Sequence, residues 1–370
     1  MSILTQVLET PSSDTGFTAQ NVSIGYNPVF LPESPVEAQI DYITGTIRLP
    51  SYDALTAMVA WLEGVCDDAW IFEPGVSITS GQRWDNSALS GAGGRIGWSV
   101  ADGQTEYYCW FSLPGGCLTK RIGLLDSWIL LRGLVARGFK FTRLDLKIRD
   151  YSKTVTPELC LEAAQVNNVT GFNPFSQSGL EVCQNYQNGV PHTTVYMGSK
   201  DSDSRTCVYN ALIKHGIDAT DFEHRLKDEK AVEAARILSK LDLNSDVQTV
   251  VLTVASLTMG QIDFIDRVNN EGRADRAERL PWWQSLMGFV GDRFRVTVPK
   301  LKPTIERSIA WVQKQVAQTL ATIKTALGPV KFNQLLTELI AKGKQNISSQ
   351  QRLSIIDYQR SQNPQPEFPF

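Results

Sequence analysis

The sequence predicts an α+β fold, an antiparallel sheet covered by helices and followed by a helical C-terminal region. Short runs of strict apolar/polar alternation mark half-buried strands. Between them lie segments with apolar residues three and four apart, the signature of amphipathic helices. From residue 305 onward only the helical spacing remains.

The elements follow in order. Residues 1–35, rich in Ser, Thr, Asn and Pro, read as an irregular arm. "AQIDYITGTIRL" (38–49) has strand composition. Ser51 then caps a helix whose Leu55, Met58, Val59 and Leu62 share one face. "RIGWSV" and "TEYYCWFSL", joined by "ADGQ", form a hairpin signal. Trp128, Leu131 and Val135 are in helical phase up to Gly138, and "FTRLDLKIRD" (141–150) is again a strand. The order β-α-β-β-α-β is the split βαβ arrangement of ferredoxin-like domains.

The second half has similar content, so a pseudo-duplicated sheet is expected. Thr156-Pro157 opens a helix. "TTVYMGS" (193–199), "SRTCVYNALI" (204–213) and "TDFEHRLK" (220–227) read as strands, and Val232, Ala235, Leu238 and Leu241 mark a helix. "GDRFRVTVPK" is a last extended run. Ile305, Ile309, Val312, Val316, Leu320, Ile323 and Leu327 then form one stripe, ended by Gly328-Pro329, before a helix from Phe332 to Gly343. The expected organisation is an arm (1–35), an α+β domain (36–300), a helical hairpin (301–345) and a flexible tail (346–370).

Composition excludes several classes. The chain has 370 residues, 42% apolar and 20% charged, with a net charge of -3. The longest apolar run, "TVVLTVASLTMG", is too short to span a bilayer. With no cationic start and no long apolar stretch at the N-terminus, a cytoplasmic location without membrane contact is expected. Six scattered cysteines exclude a CxxC pair, and none of the three histidines stands two residues from another. Charge is uneven: residues 119–153 hold nine bases and three acids. Such a stripe suits a phosphate backbone and equally suits an ordinary solvated face.

Three strands offer polar faces. "FTRLDLKIRD" alternates Arg143, Asp145, Lys147 and Arg149 with Leu144, Leu146 and Ile148. Asp221, Glu223, Arg225 and Lys227 share a face of the third strand, and Arg205, Cys207 and Tyr209 share one of the second. Asp145, Glu223 and Tyr209 could bind metal, move protons or attack a substrate. A one-sided antiparallel sheet with a solvated face would show the same alternation.

Taken together, "FTRLDLKIRD", "TTVYMGSKDSDSRTCVY", "DFEHRLKDEKA" and "PWWQSLMGFV" resemble, in order and spacing, the rolling-circle plasmid replication initiation factors, a family that includes relaxases of conjugative elements. "GWSVADGQTEYYCWFSLPGG" is similar to the family's N-terminal hairpin, so the resemblance spans roughly residues 38–320. It implies that Tyr209 is the nucleophile and that Asp145 and Glu223 are metal ligands; Asp150 either completes the set or points away, since strand parity puts it opposite Asp145 unless the strand ends or bulges there. The Gly198-Ser199 turn with Arg205 would handle phosphate, and Arg143, Lys147, Arg149, Lys214 and Arg225 would face the DNA. Trp282 and Trp283 are either a stacking platform for extruded bases or buried core. Arg293 and Arg295 would extend the basic stripe.

Two positions depart from the family pattern: Arg149 stands where an acid is usual, and Ala211 where a lysine is usual. Lys214 is either a substitute for that lysine or an unrelated surface charge. Tyr196 is the competing nucleophile.

The implied activity is nicking and rejoining at a double-strand origin through a 5′-phosphotyrosyl link. Oxygen ligands would favour Mg²⁺ or Mn²⁺. The implied partners are origin duplex and nicked single strand, a host helicase and a second copy of the chain. A relaxase with the same chemistry, a non-catalytic DNA-binding regulator and a carboxylate-based hydrolase are the alternatives.

Overall fold

The computed structural model describes residues 35–79, 82–100, 105–118, 120–176, 178–187, 190–243, 245–267, 277–290 and 304–362. Nearly all of the arm, the run containing Arg293 and Arg295, and the end of the tail lie outside the described residues. The chain divides into two compact units, Met1–Val298 and Pro299–Phe370.

In the first unit, β1 (Val36–Leu49) leads through α1 (Tyr52–Cys66) to two hairpins, β2 (Trp70–Thr79) with β3 (Gln82–Ser90) and β4 (Arg95–Val100) with β5 (Tyr107–Pro114). Helix α2 (Gly123–Ala136) returns the chain to β6 (Lys140–Asp150). The Ser51 hydroxyl accepts from the Ala54 N–H at 3.2 Å, satisfying one open donor of the first turn of α1. The β2–β3 hairpin is an insertion that the sequence reading lacked.

After α3 (Pro157–Gln165) and β7 (Val169–Thr170) come β8 (Leu180–Gln187), β9 (Val190–Met197), β10 (Ser204–Asn210), α4 (Ala211–His215) and β11 (Thr220–Lys227). Helices α5 (Asp228–Ser239) and α6 (Val247–Met259), strand β12 (Asp263–Phe264) and α7 (Pro281–Val290) follow. Ten strands form one antiparallel sheet, ordered β2-β3-β4-β5-β1-β6-β11-β10-β9-β8, while β7 and β12 pair separately. The second half therefore does not repeat the first: β8 to β11 run as a meander that extends the same sheet across β6.

One face of the central strands is the core. Leu144, Leu146 and Ile148 of β6, Phe222 and Leu226 of β11, and Ile43 of β1 are buried with α2, α5 and α6. Helix α6 is apolar around most of its circumference, and its residues from Val250 to Met259 are buried except Leu252, which is partly so. The apolar run too short for a membrane span is thus a core helix, and no described helix is long and apolar enough to cross a membrane. In α5 the buried residues are Ala231, Ala234, Ala235 and Leu238, whereas Val232 is exposed, one position off the expected stripe. All six cysteines are free, and all but Cys183 are buried.

The second unit is helical: α8 (Ile305–Trp311), a π-helical turn (Val312–Val316), α9 (Ala317–Gln345) and α10 (Ser349–Gln362). Gly328, at φ 74°, breaks the helical path of α9 immediately before Pro329, as the sequence indicates. Residues 349–362, expected in the flexible tail, are helical. The Ser348 hydroxyl accepts from the Gln351 N–H at 3.3 Å while the Gln351 side chain accepts from the Ser348 N–H at 2.9 Å, a reciprocal cap.

Candidate active site

Across from the helices, β1, β6 and β11 turn polar side chains into a cleft of about 450 Å³, with Lys214 and His215 of α4 at its wall. Antiparallel register sets the grid: Arg225 lies opposite Asp145, Glu223 opposite Lys147 and Asp221 opposite Arg149. On the next strand Tyr209 lies opposite Asp221 and Cys207 opposite Glu223. Tyr209 is therefore the diagonal neighbour of Glu223 on one pleated face.

Strand β1 completes the cleft through a bulge. Its register against β6 slips between Ile40 and Tyr42, leaving Asp41 as an extra residue. Adjacent side chains on a regular strand point to opposite faces, yet Asp41 and Tyr42 both line the cleft. A Cβ at Gly115 would stand 2.8 Å from Asp41 Oδ1, so that glycine makes the room.

The floor is a buried ion network. Lys147, 2% exposed, places Nζ 2.5 Å from Asp41 Oδ1 and 3.6 Å from Asp221 Oδ2. Arg149 donates to both oxygens of Asp221, at 2.7 and 2.9 Å. Burial alone would raise the Asp41 and Asp221 carboxyls, but Lys147 holds the first below its ordinary value, and Lys147 with Arg149 does so for the second. Lys147 and Arg149, expected to face phosphate, are instead neutralised in this network.

Above it sit the reactive candidates. The Tyr209 hydroxyl donates to Glu223 Oε2 at 3.4 Å, receives Lys214 Nζ at 3.2 Å and lies 3.4 Å from His215 Nε2. Burial, then Asp221 and Glu223, push the phenol far above its ordinary pKa. Burial, then the Asp145 and Asp41 carboxylates, push Glu223 up to about 7. Arg143 grips Asp145 with Nε, 2.8 Å from Oδ1, and with a second guanidinium nitrogen, while stacking 4.3 Å over the Tyr42 ring. Arg225 approaches Asp145 at 3.5 Å and Glu223 at 3.4 Å, and its buried Nε has no hydrogen-bond partner among the described residues. Lys214, Arg143 and Arg225 are the expected cations that reach the cleft with exposed surface, joined by Lys120.

Other expected residues lie elsewhere. Asp150 points to the opposite side of β6, where its oxygens accept from the Ser152 N–H at 2.9 Å, the Ser152 hydroxyl at 2.5 Å and the Val155 N–H at 3.1 Å. It holds a turn and is not available as a third metal ligand. Arg205 is bound to Glu181 at 2.5 Å and stacks on Tyr196, and the Ser199 hydroxyl caps its own turn at the Asp201 N–H. Neither tyrosine lines the cleft itself: Tyr209 bonds its lining residues Glu223 and Lys214, whereas Tyr196, pushed by burial up to about 12, packs under the Arg205 guanidinium. Trp283 is fully buried on the helical side, packs on Phe222 and Phe264, and donates to Asp263 Oδ1 at 2.6 Å. Trp282, half-buried on the same helix, packs on Phe264. Both belong to the core side of the sheet and offer no stacking platform to the cleft.

The basic stripe is also dispersed. Arg121 and Arg132 cap the carbonyls of Asp67 and Leu241, Arg137 stacks on Trp61, and Lys153 pairs with Asp218. Conversely, Asp41 and His215 escaped the sequence reading. Alternation of Glu37, Gln39 and Asp41 in "VEAQID" was the available signal for the first. His215 had only the following Gly216 to mark a chain reversal.

Among the described residues no three His, Cys, Asp or Glu side chains form a metal-binding group. Two carboxylates facing a cleft nevertheless suit a hard cation that keeps waters and takes its remaining ligands from a phosphate. Glu223 is raised first by burial and then by the Asp145 and Asp41 carboxylates, and a bound cation would offset that second contribution.

Comparison with known proteins adds three findings. A family model described as "Replication initiation factor" matches residues 139–340, more than half of the chain. A Bacillus subtilis (strain 168) protein named "Putative DNA relaxase NicK" is 26% identical over 217 residues, covering 55% of this chain and 58% of that protein. The chain thus spans less than two thirds of that relative. The structure of a rolling circle replication initiator protein from Geobacillus stearothermophilus superposes with a TM-score of 0.52 at 16% identity, over 71% of this chain and all of that one. At that identity the likeness speaks for the fold.

Proposed function

Since the chain belongs to the replication initiation factor family, we propose that it nicks and rejoins one strand of a plasmid double-strand origin, with Tyr209 as the nucleophile. The observation that carries this reading is the buried Tyr209 hydroxyl beside the cleft, donating to Glu223 and receiving from Lys214, both of which line it.

The phenol is a poor nucleophile while protonated, and its surroundings hold the proton firmly. Glu223, the acceptor in contact with it, takes that proton. Lys214 steadies the oxygen as negative charge develops. Arg225 and Arg143, on the rim beside Asp145, orient the scissile phosphate by charge-assisted donation. Asp145 and Glu223 would hold a Mg²⁺ or Mn²⁺ ion. When bound, it supplies Lewis acidity toward the phosphate and the departing 3′ oxygen. The product is a 5′-phosphotyrosyl link and a free 3′ hydroxyl. The link conserves the bond, so rejoining needs no nucleotide.

The partners in this reading are an origin duplex and its nicked strand, a host helicase and a second copy of the chain. The position that carries Arg149 in place of an acid does not disarm the cleft, because Arg149 serves the buried network and Asp41 adds a carboxylate from β1. The similarity to a protein named as a relaxase supports a mobile-element relaxase as the second reading, with the same chemistry.

The test is incubation with a supercoiled plasmid bearing the chain's own coding region and flanks, with Mg²⁺ or Mn²⁺. Nicked circles carrying covalent protein are expected, and they are lost in Tyr209→Phe but kept in Tyr196→Phe. Nicking that survives Tyr209→Phe contradicts the assignment. Tight binding without any nick in either metal favours a regulator.

A further inference from the structure

We propose that His215 is a further catalytic residue of this site, an Nε2–H donor in the tautomer that the nearby Asp221 carboxylate favours, which stabilises the Tyr209 oxygen when it attacks and when it departs. This rests on Tyr209 being the nucleophile.

The protons around one oxygen decide the tautomer. A phenol has one proton to give and can accept two. The Tyr209 proton goes toward Glu223 Oε2, at 3.4 Å. Lys214 Nζ, at 3.2 Å, can only donate. The third neighbour is His215 Nε2, at 3.4 Å. That nitrogen also lies 3.6 Å from Asp221 Oδ2, an oxygen already held by Arg149. A bare Nε2 would set its lone pair toward a buried carboxylate, whereas an Nε2–H can donate to the phenol oxygen and place its positive end near Asp221. Burial, with Lys147 close by, lowers the imidazole to about 4, so the ring is neutral at pH 7 and a single tautomer decides its role.

Local structure makes the placement rigid. Helix α4 is only five residues long, capped at its start by the Asn210 side chain on the Leu212 N–H at 2.9 Å. It ends at Gly216, whose φ of 70° is the left-handed conformation that a side chain disfavours. The Ala211 N–H bonds the Ala219 carbonyl at 2.8 Å and closes the loop between β10 and β11. Lys214 and His215 are thereby folded back onto Tyr209 from the same turn.

In cleavage the Oη–P bond forms as P–O3′ breaks. The phenol proton passes to Glu223, and the departing 3′ oxygen takes a proton from solvent. Rejoining reverses each transfer, with the Tyr209 oxygen leaving as phenolate. Donation from His215 and Lys214 lowers the barrier in both directions, because both pass through a partly anionic Oη.

Two measurements test this. With ¹⁵N-histidine in the full chain, which has three histidines, the His215 signals at pH 7 should report a protonated Nε2 and a bare Nδ1, and Asp221→Asn should shift that balance. A bare Nε2 in the unmodified protein overturns the proposal without reference to activity. In single-turnover assays with the plasmid described above, His215→Ala should slow both cleavage and rejoining by about 10- to 100-fold with unchanged plasmid affinity. His215→Gln, whose amide N–H can reach the same place, should recover most of the loss. Wild-type rates in His215→Ala, or equal losses in both variants, contradict it. If His215→Ala does not fold, the tautomer measurement decides. Adduct formation in Tyr209→Phe would remove the nucleophile reading itself, while an inactive Tyr209→Phe beside a fully active His215→Ala removes only the role of His215.

Discussion

Glu223 concentrates the chemistry at the scale of the residue. Burial and the carboxylates of Asp145 and Asp41 raise it to about 7, so it is neutral in acid and ionised only above that pH. Both a proton acceptor and a cation ligand must be ionised, so cleavage and Mg²⁺ affinity should rise together through pH 7. Glu223→Gln should lower the cleavage rate by about 10²–10⁴-fold and flatten that rise, as rates measured from pH 6 to 8.5 would show. Its stability effect has the opposite sign. An acid whose folded pKa is raised favours the folded state below its unfolded value, and that contribution is lost as pH passes the folded one. Thermal melts should therefore find Glu223→Gln more stable than the parent at pH 8.5 but not at pH 5. Asp145→Asn removes the partner of Arg143 and should abolish nicking while leaving DNA binding largely intact. That Tyr209, Asp145 and Glu223 stand on polar strand faces was legible because the pleat acts locally along each strand, while the roles proposed for them rest on the family resemblance. Asp41 was not read, since a bulge re-aims it, and His215 was not, since its approach depends on a left-handed glycine.

Among the elements, α7 shows why an aromatic pair can mislead. Trp283 lies on the far side of β11 from Glu223, with Phe222 between them in the pleat, and its indole N–H is bound to Asp263. Trp283→Ala should cost about 3–5 kcal/mol of stability in urea unfolding, while residual folded protein keeps its affinity for DNA. A loss of DNA binding at unchanged stability would restore the stacking role. Helix α5 teaches a related lesson: Ala231 and Ala234, not Val232, face the sheet, because small side chains let a helix sit close to β6. Periodicity located that helix and its Ala235 and Leu238, but it favoured Val232 over the smaller Ala231 and Ala234. Helix α10 carried a readable Ser348-x-x-Gln351 cap that its polar composition concealed. The strands were the most legible elements, and β11 was delimited at both ends, since alternation there runs unbroken between turn residues.

The whole molecule depends on pairing that no local pattern contains. That β6 lies between β1 and β11, joining two halves in a single sheet, requires contacts across more than seventy residues of sequence. The same junction creates the cleft, because Asp41, Asp145 and Glu223 come from those three strands. All the cleft residues lie in the unit ending at Val298. A chain stopped after residue 298 should therefore fold and still form a covalent adduct, which gel electrophoresis after nicking would reveal; an adduct-free but folded fragment would place part of the site beyond it. The central claim is tested most directly by digesting the protein–DNA adduct and locating the modified peptide by mass spectrometry. The account predicts a nucleotide phosphate on Tyr209 and on no other tyrosine; a phosphate on Tyr196, or a nick with no tyrosyl adduct, would contradict it.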